Sequence, residues 1–109
     1  CEYVKNRLGL ETVNVFGDMD MPVECLAVSP GSGKGAICPA LERGAKVLVC
    51  GDIGHHEGID AWAQGLAIID AGHYGTEYMF LGDMEQYLRE RLDDVDVAAE
   101  PVRFPCRVV

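Results

Sequence analysis

The fold is decided by residues 46–73, which have the sequence KVLVCGDIGHHEGIDAWAQGLAIIDAGH. Two apolar runs, at 46–50 and 66–70, have the continuous hydrophobicity that is typical of strands covered on both faces. Between them, residues 57–64 followed by Gly65 predict a helix that ends at a glycine. A strand, a helix and a second strand form a βαβ unit. We therefore expect two parallel strands joined by a right-handed crossover.

The alternation of strands and helices continues toward the N-terminus. Residues 25–29 have a third continuous apolar run, which predicts another strand covered on both faces. Residues 36–43 predict a short helix after it. Residues 12–16 predict a short strand that we expect at an antiparallel edge of the sheet. Residues 2–8 have the pattern of a helix end.

The C-terminal third is predicted to contain one long helix, from residue 73 to about residue 92. Its apolar face continues from Glu77 through three residues at helical spacing, Leu81, Met84 and Leu88. Residues 95–99 and 102–109 are candidates for a last strand and for a strand or tail. Residues 1–109 are thus expected to form a single α/β domain, with a mostly parallel sheet and helices on both faces.

Composition and charge narrow the classes of partner. Hydrophobic residues make up 49% of the chain and charged residues 25%, as in ordinary globular proteins. The formal net charge of -9 argues against binding to nucleic acid or to an anionic membrane, because both require a basic face. No apolar run approaches the roughly 20 residues that span a bilayer. No signal peptide is evident either, because charged residues interrupt the N-terminal segment.

The cysteines indicate a reducing compartment. There are five, an odd number, and no two form a Cys-x-x-Cys pair, so a disulfide scaffold or a zinc knuckle is not expected. Buried free thiols and a cytoplasmic location are the expectation. Because the chain begins with Cys1 and not with Met, we also expect it to be a fragment of a longer protein.

Three predicted loops leave the carboxyl ends of strands, at 29–33, 51–56 and 70–73. In open α/β sheets, ligands bind outside these ends. All three histidines of the chain, His55, His56 and His73, lie on two of these loops. The carboxyl edge of the sheet is therefore the first place to look for chemistry.

His73 and Glu77 are four residues apart at the start of the last helix, so they share one helix face. An imidazole and a carboxylate at this spacing can bind one divalent ion, and Asp70 could orient a ligand from behind. A helix N-terminus stabilised by Glu77, with His73 at the surface, is the alternative. The spacing alone does not decide between them.

His55 and His56 follow a predicted strand. They could bind a metal, transfer a proton or face solvent at the tip of a loop. Asp52, which precedes them, has the default role of capping the next helix.

Four segments of the sequence together resemble the C-terminal part of the Nif-three-like family, whose members are often labelled type 2 homologues of GTP cyclohydrolase I. The segments are AVSPGSG at 27–33, GDIGHH at 51–56, Asp60-Ala61, and IDAGHYGTE at 69–77. The resemblance covers nearly the whole chain. The last motif, with the Gly-Asp-Ile motif at this distance before it, is specific.

The resemblance implies a two-part α/β fold, a toroidal hexamer, and two metal ions held between the halves of each chain. It implies that His73 and Glu77 are metal ligands and that His56 lies near the metals, in a catalytic proton-transfer or substrate-contact role. The remaining ligands would belong to an N-terminal half that this chain lacks. Zinc, manganese and iron all suit histidine with carboxylate.

Two functions are expected from the resemblance. The first is a metal-dependent hydrolase, similar to a cyclohydrolase, that acts on a small-molecule substrate. The second is a non-enzymatic metal-binding scaffold or regulatory protein that engages other proteins. A plain α/β domain without a site is the third interpretation.

Overall fold

A computed structural model describes residues 1–107. It contains four strands, five α-helices and one 3₁₀ turn. In chain order these are α1 (Glu2–Leu8), β1 (Asn14–Phe16), β2 (Leu26–Ser32), a 3₁₀ helix (Lys34–Ala36), α2 (Ile37–Glu42), β3 (Val47–Gly51), α3 (His55–Ala63), β4 (Ala67–Asp70), α4 (His73–Glu77) and α5 (Phe80–Arg89).

The four strands form one sheet in the order β1-β4-β3-β2. β2, β3 and β4 are parallel, with Leu48 opposite both Ala27 and Ile68. β1 pairs antiparallel with β4, which places Asn14 opposite Asp70. The predicted α/β class, with a mostly parallel sheet and an antiparallel edge strand, is confirmed.

The core lies on both faces of β3 and β4, whose nine residues are all buried. On one face, β3 and β4 pack against α2 and α3, through Leu48, Cys50 and Ile68 of the strands. On the other face, their alternate residues pack against Cys1 and Val4 at the start of the chain. Helices therefore cover both faces, as predicted. Burial also raises the pKa of the Cys50 thiol to about 12, so this thiol stays protonated at neutral pH.

β2 differs from its prediction. It is an edge strand, and the side chains of Leu26 and Val28 are 53% and 68% exposed, so it is not covered on both faces. It also extends past residue 29, because the ladder is irregular between Val28 and Ser32 and so accommodates Pro30. The apolar run predicted the strand correctly but not its position at the edge.

The predicted long helix is divided at Tyr78 and Met79 into α4 and α5. The end of α4 is fixed to the end of α1, since the Tyr78 hydroxyl donates to the Leu8 carbonyl at 2.8 Å. α5 has no buried residue. No strand forms over 95–99 or 102–107, and residues 108–109 of the predicted last segment lie outside the described residues. No helix within residues 1–107 is long and apolar enough to cross a membrane.

The five cysteines are free thiols, as predicted, but only one of them is buried. Cys50 lies in the core, Cys1 is half-buried, and the other three, Cys25, Cys38 and Cys106, are exposed. The prediction of buried thiols was therefore wrong for these three. Cys50 lies inside a central strand that is buried on both faces, whereas Cys25 precedes the edge strand β2 and Cys38 lies at an exposed position of α2.

Candidate metal site

The carboxyl ends of the three parallel strands meet at one edge of the sheet. The Gly33 amide donates to the Gly51 carbonyl, and the Ala71 amide donates to the Cys50 carbonyl, both at 2.8 Å. These bonds hold the loops after β2, β3 and β4 side by side. The sequence predicted this convergence from the parallel order of the strands.

His73 lies between two carboxylates at this edge. Its Nδ1 is 2.6 Å from Asp52 Oδ2, and its Nε2 is 3.3 Å from Glu77 Oε2. All three side chains are about half exposed. The hydrogen bond to Asp52, followed by the charge of Glu77, raises the pKa of His73 above its ordinary value of 6.5. The predicted pairing of His73 with Glu77 is thus present in the structure.

Gly31, near the end of β2, lies directly against this pair. A Cβ atom at Gly31 would be 2.5 Å from Glu77 Oε1 and 3.2 Å from His73 Nε2. The residue has φ of 64°, which favours glycine, and its amide donates to Thr76 Oγ1 at 2.9 Å. Only a residue without a side chain leaves this space open beside the two donor atoms.

The donor set fits a divalent ion in part. Imidazole nitrogen with carboxylate oxygen is a combination that zinc, manganese and iron accept, and here the two atoms converge on the space that Gly31 leaves open. Within residues 1–107, however, no group of three or more His, Cys, Asp or Glu side chains is arranged to hold a metal. The described residues offer two ligands and not a complete site.

No hydrogen bond or ion pair joins Asp70 to His73 within residues 1–107. Its carboxylate is buried and accepts hydrogen bonds from two backbone amides, that of Ile53 at 3.1 Å and that of Gly72 at 2.9 Å. It therefore fixes the loops that carry the site. The second carboxylate beside His73, besides that of Glu77, is that of Asp52, for which helix capping was predicted. The available signal was that Asp52 and His73 both follow the carboxyl ends of neighbouring parallel strands.

His55 and His56 begin α3, and both are exposed. Their rings contact each other edge to face, with centroids 5.4 Å apart. Within the described part of the chain, no hydrogen bond or ion pair joins His56 to His73 or Glu77. The proposed catalytic role of His56 stays a prediction.

An open groove of about 620 Å³ runs beside Glu77, between Pro30 and the segment from Thr76 to Leu81. Its walls include three partly exposed apolar side chains, Met79, Phe80 and Leu81. This volume lies within the range of small-molecule sites. The break between α4 and α5 creates the groove, so the sequence did not predict it.

The chain is similar to one protein family and to named relatives within it. A family model described as Duf34/NIF3 (NGG1p interacting factor 3) matches residues 1–105. A Staphylococcus epidermidis protein named GTP cyclohydrolase 1 type 2 homolog is 38% identical over 92 residues, which cover 84% of this chain and 24% of that protein. A Staphylococcus aureus protein of the same name is 32% identical over 103 residues, covering 91% and 28%. The chain thus spans about a quarter of the length of these relatives.

Two solved structures have a similar fold. The crystal structure of a Bacillus cereus protein related to NIF3 gives a TM-score of 0.83 at 29% identity, over 99% of this chain and 31% of that one. Reduced HcgD from Methanocaldococcus jannaschii gives 0.71 at 32% identity, over 84% and 38%. Because the family model matches nearly every residue and the folds agree, the resemblance seen in the sequence is confirmed, and the chain belongs to the Duf34/NIF3 family.

Proposed function

We propose that this chain contributes His73 and Glu77 as ligands to a divalent metal centre of a metal-dependent hydrolase. One observation carries the proposal: His73 Nε2 and Glu77 Oε2 lie 3.3 Å apart, beside Gly31, where a Cβ atom would crowd both side chains. Zinc, manganese and iron are the candidate ions.

The remaining ligands come from sequence outside this chain. Two donors do not complete a coordination shell, and the chain spans only about a quarter of the relatives that it matches. In the proposal, the completed centre holds two ions between two parts of one protein. That protein assembles as a hexamer in the cytoplasm. The exposed edge strand β2 is available for a contact with such a second part, because its outer backbone groups have no partner strand among residues 1–107.

Metal ions at such a centre supply Lewis acidity and lower the pKa of a bound water. The chain's own residues would bind and orient the reactants. The groove beside Glu77 would hold the apolar part of a small-molecule substrate, and His56 would move a proton at the rim of the site. Cyclohydrolase-type ring opening of GTP is the reaction to test first, because two relatives carry that name.

A non-enzymatic metal-binding scaffold is the second candidate. The exposed apolar side chains of β2 and of the α4–α5 junction favour it, because exposed apolar surface of this kind suits contacts with other proteins. Metal binding without turnover of GTP, other phosphoesters or amides would support the scaffold. Hydrolysis that disappears in a Glu77→Ala variant would support the enzyme.

Metal content measured by mass spectrometry tests the ligands directly. The protein is used at the length that its gene encodes, beside His73→Ala and Glu77→Ala variants, with His55→Ala as the matched control. We expect about two ions per chain in the unaltered protein and in His55→Ala, and a clear loss in the other two variants. Unchanged metal in folded His73→Ala and Glu77→Ala proteins would remove both residues as ligands.

A further inference from the structure

We infer that Asp52 is a positioning residue that holds the His73 imidazole so that Nε2 faces the metal. This inference rests on the proposed function. Asp52 is the first residue after β3, whereas His73 begins α4 after β4, so the contact joins two loops across the carboxyl edge. Asp52 therefore lies outside the motif at 69–77 that contains His73 and Glu77.

The hydrogen bond determines which ring nitrogen is free. Ionised aspartate only accepts, so the 2.6 Å contact requires that His73 Nδ1 carries the proton and donates to Asp52 Oδ2. In neutral imidazole the other nitrogen, Nε2, then has a free lone pair. Nε2 is the atom that lies 3.3 Å from Glu77 and faces Gly31. Asp52 therefore selects the tautomer that a metal ligand needs.

Asp52 has no competing role among residues 1–107. α3 begins after Gly54 and has no side-chain cap, so Asp52 does not cap this helix. The carboxylate has His73 as its one hydrogen-bond partner in the described part of the chain. Asp52 is also the one non-glycine residue there with positive φ, at 54°. An L-residue adopts this conformation unfavourably, and such outliers are retained where the surrounding structure uses them.

Removal of the carboxylate without backbone strain is possible with Asp52→Gly, because glycine adopts positive φ freely. Without Asp52, the imidazole can rotate and exchange tautomers, so the affinity for metal falls. Loss of a carboxylate behind a metal-bound histidine typically weakens metal binding about 10–100-fold. Asp52→Asn should weaken it less, since the amide oxygen still accepts from Nδ1.

The test uses the protein at its encoded length and two readouts. Zinc affinity is measured by competition with a chelator. The His73 tautomer is measured by ¹⁵N-resolved imidazole NMR in metal-free protein, at a pH high enough to keep the imidazole neutral, because Asp52 and Glu77 raise its pKa. Asp60→Gly, which removes an exposed carboxylate from α3, is the control. We expect Asp52→Gly to lose zinc affinity about 10–100-fold and to lose the single Nδ1–H tautomer. Asp60→Gly should change neither quantity.

The outcomes separate this inference from the proposed function. Unchanged zinc affinity and an unchanged tautomer in Asp52→Gly would overturn the positioning role, even if His73→Ala abolishes zinc binding. If His73→Ala leaves zinc binding intact, the proposed function fails. Loss of the Nδ1–H tautomer in metal-free Asp52→Gly would still show that Asp52 orients His73.

Discussion

Two neighbouring parallel strands, β2 and β3, have similar apolar sequences and opposite surroundings. Every residue of β3 is buried, whereas Leu26 and Val28 of β2 are 53% and 68% exposed. The difference is one of position, since β3 lies between two strands and β2 lies at the edge. An apolar run thus identifies a strand without identifying its neighbours.

Both strands nevertheless place a residue at the candidate site. The loop after β3 supplies Asp52, and the last part of β2 supplies Gly31, which faces His73 and Glu77. β3 should therefore matter for both stability and chemistry. β2 should matter little for stability at its start and strongly for metal binding at its end. Three pairs of substitutions test this contrast.

The largest expected effect is the difference between Leu48→Ala and Leu26→Ala, the same change in β3 and in β2. Leu48 is fully buried, so its truncation leaves a cavity and should lower the free energy of unfolding by about 2–5 kcal/mol. Leu26 is already half exposed, so Leu26→Ala should lower the free energy of unfolding by less than about 1 kcal/mol. Urea denaturation followed by circular dichroism measures both. Equal decreases in the free energy of unfolding would mean that Leu26 is buried in solution and that β2 is not an exposed edge.

A smaller loss of stability is expected from a substitution at Gly33, where the chain leaves β2 and packs against Cys50 of β3. A Cβ at Gly33 would lie 2.5 Å from Cys50 Cβ, inside the core, so Gly33→Ala should destabilise the fold by about 1–3 kcal/mol. Gly35 has no atom within 4 Å of its own Cβ position, and Gly35→Ala should be neutral or slightly stabilising. The same urea experiment compares them. A neutral Gly33→Ala variant would show that the packing of this loop on Cys50 is loose.

Much of the fold was predictable because local pattern and tertiary position agree over residues 46–73. The apolar runs there are central strands, so both of their faces are buried, and Gly65 follows the helix as predicted. The exposure of Val28 and the break at Tyr78 were not predictable. Both features depend on which other parts of the protein pack against the segment, and this is not encoded locally. Within residues 1–107, none of the residues of α5 is buried.

The candidate site divides in the same way. The contact of His73 with Glu77 follows from helical spacing alone, so the sequence found it. The contact of His73 with Asp52 joins residues that are 21 apart, and it depends on how two loops turn after neighbouring strands. The position of Gly31 beside both side chains depends on a third segment, the end of β2. Spacing along one helix is encoded locally, whereas contacts between loops become visible only in the folded sheet.

The smallest expected effect on stability concerns Gly31, and Gly44 provides its control. Both glycines have positive φ, 64° and 75°, so an alanine at either position should cost about 1 kcal/mol through backbone strain. They differ in their surroundings. The Cβ of Gly31→Ala would meet the Glu77 carboxylate at 2.5 Å, whereas nothing lies within 4 Å at Gly44.

Because Glu77 is half exposed, its carboxylate can move away from a new methyl group at little cost to stability. That movement would separate Glu77 from His73 Nε2 and occupy the space between them. Gly31→Ala should therefore lose zinc affinity at least about tenfold, as positional errors at metal ligands do, while Gly44→Ala keeps it. Chelator competition measures both variants under the same conditions. Equal affinities would mean that no ion is held beside Gly31, and the end of β2 would then be as dispensable as its beginning.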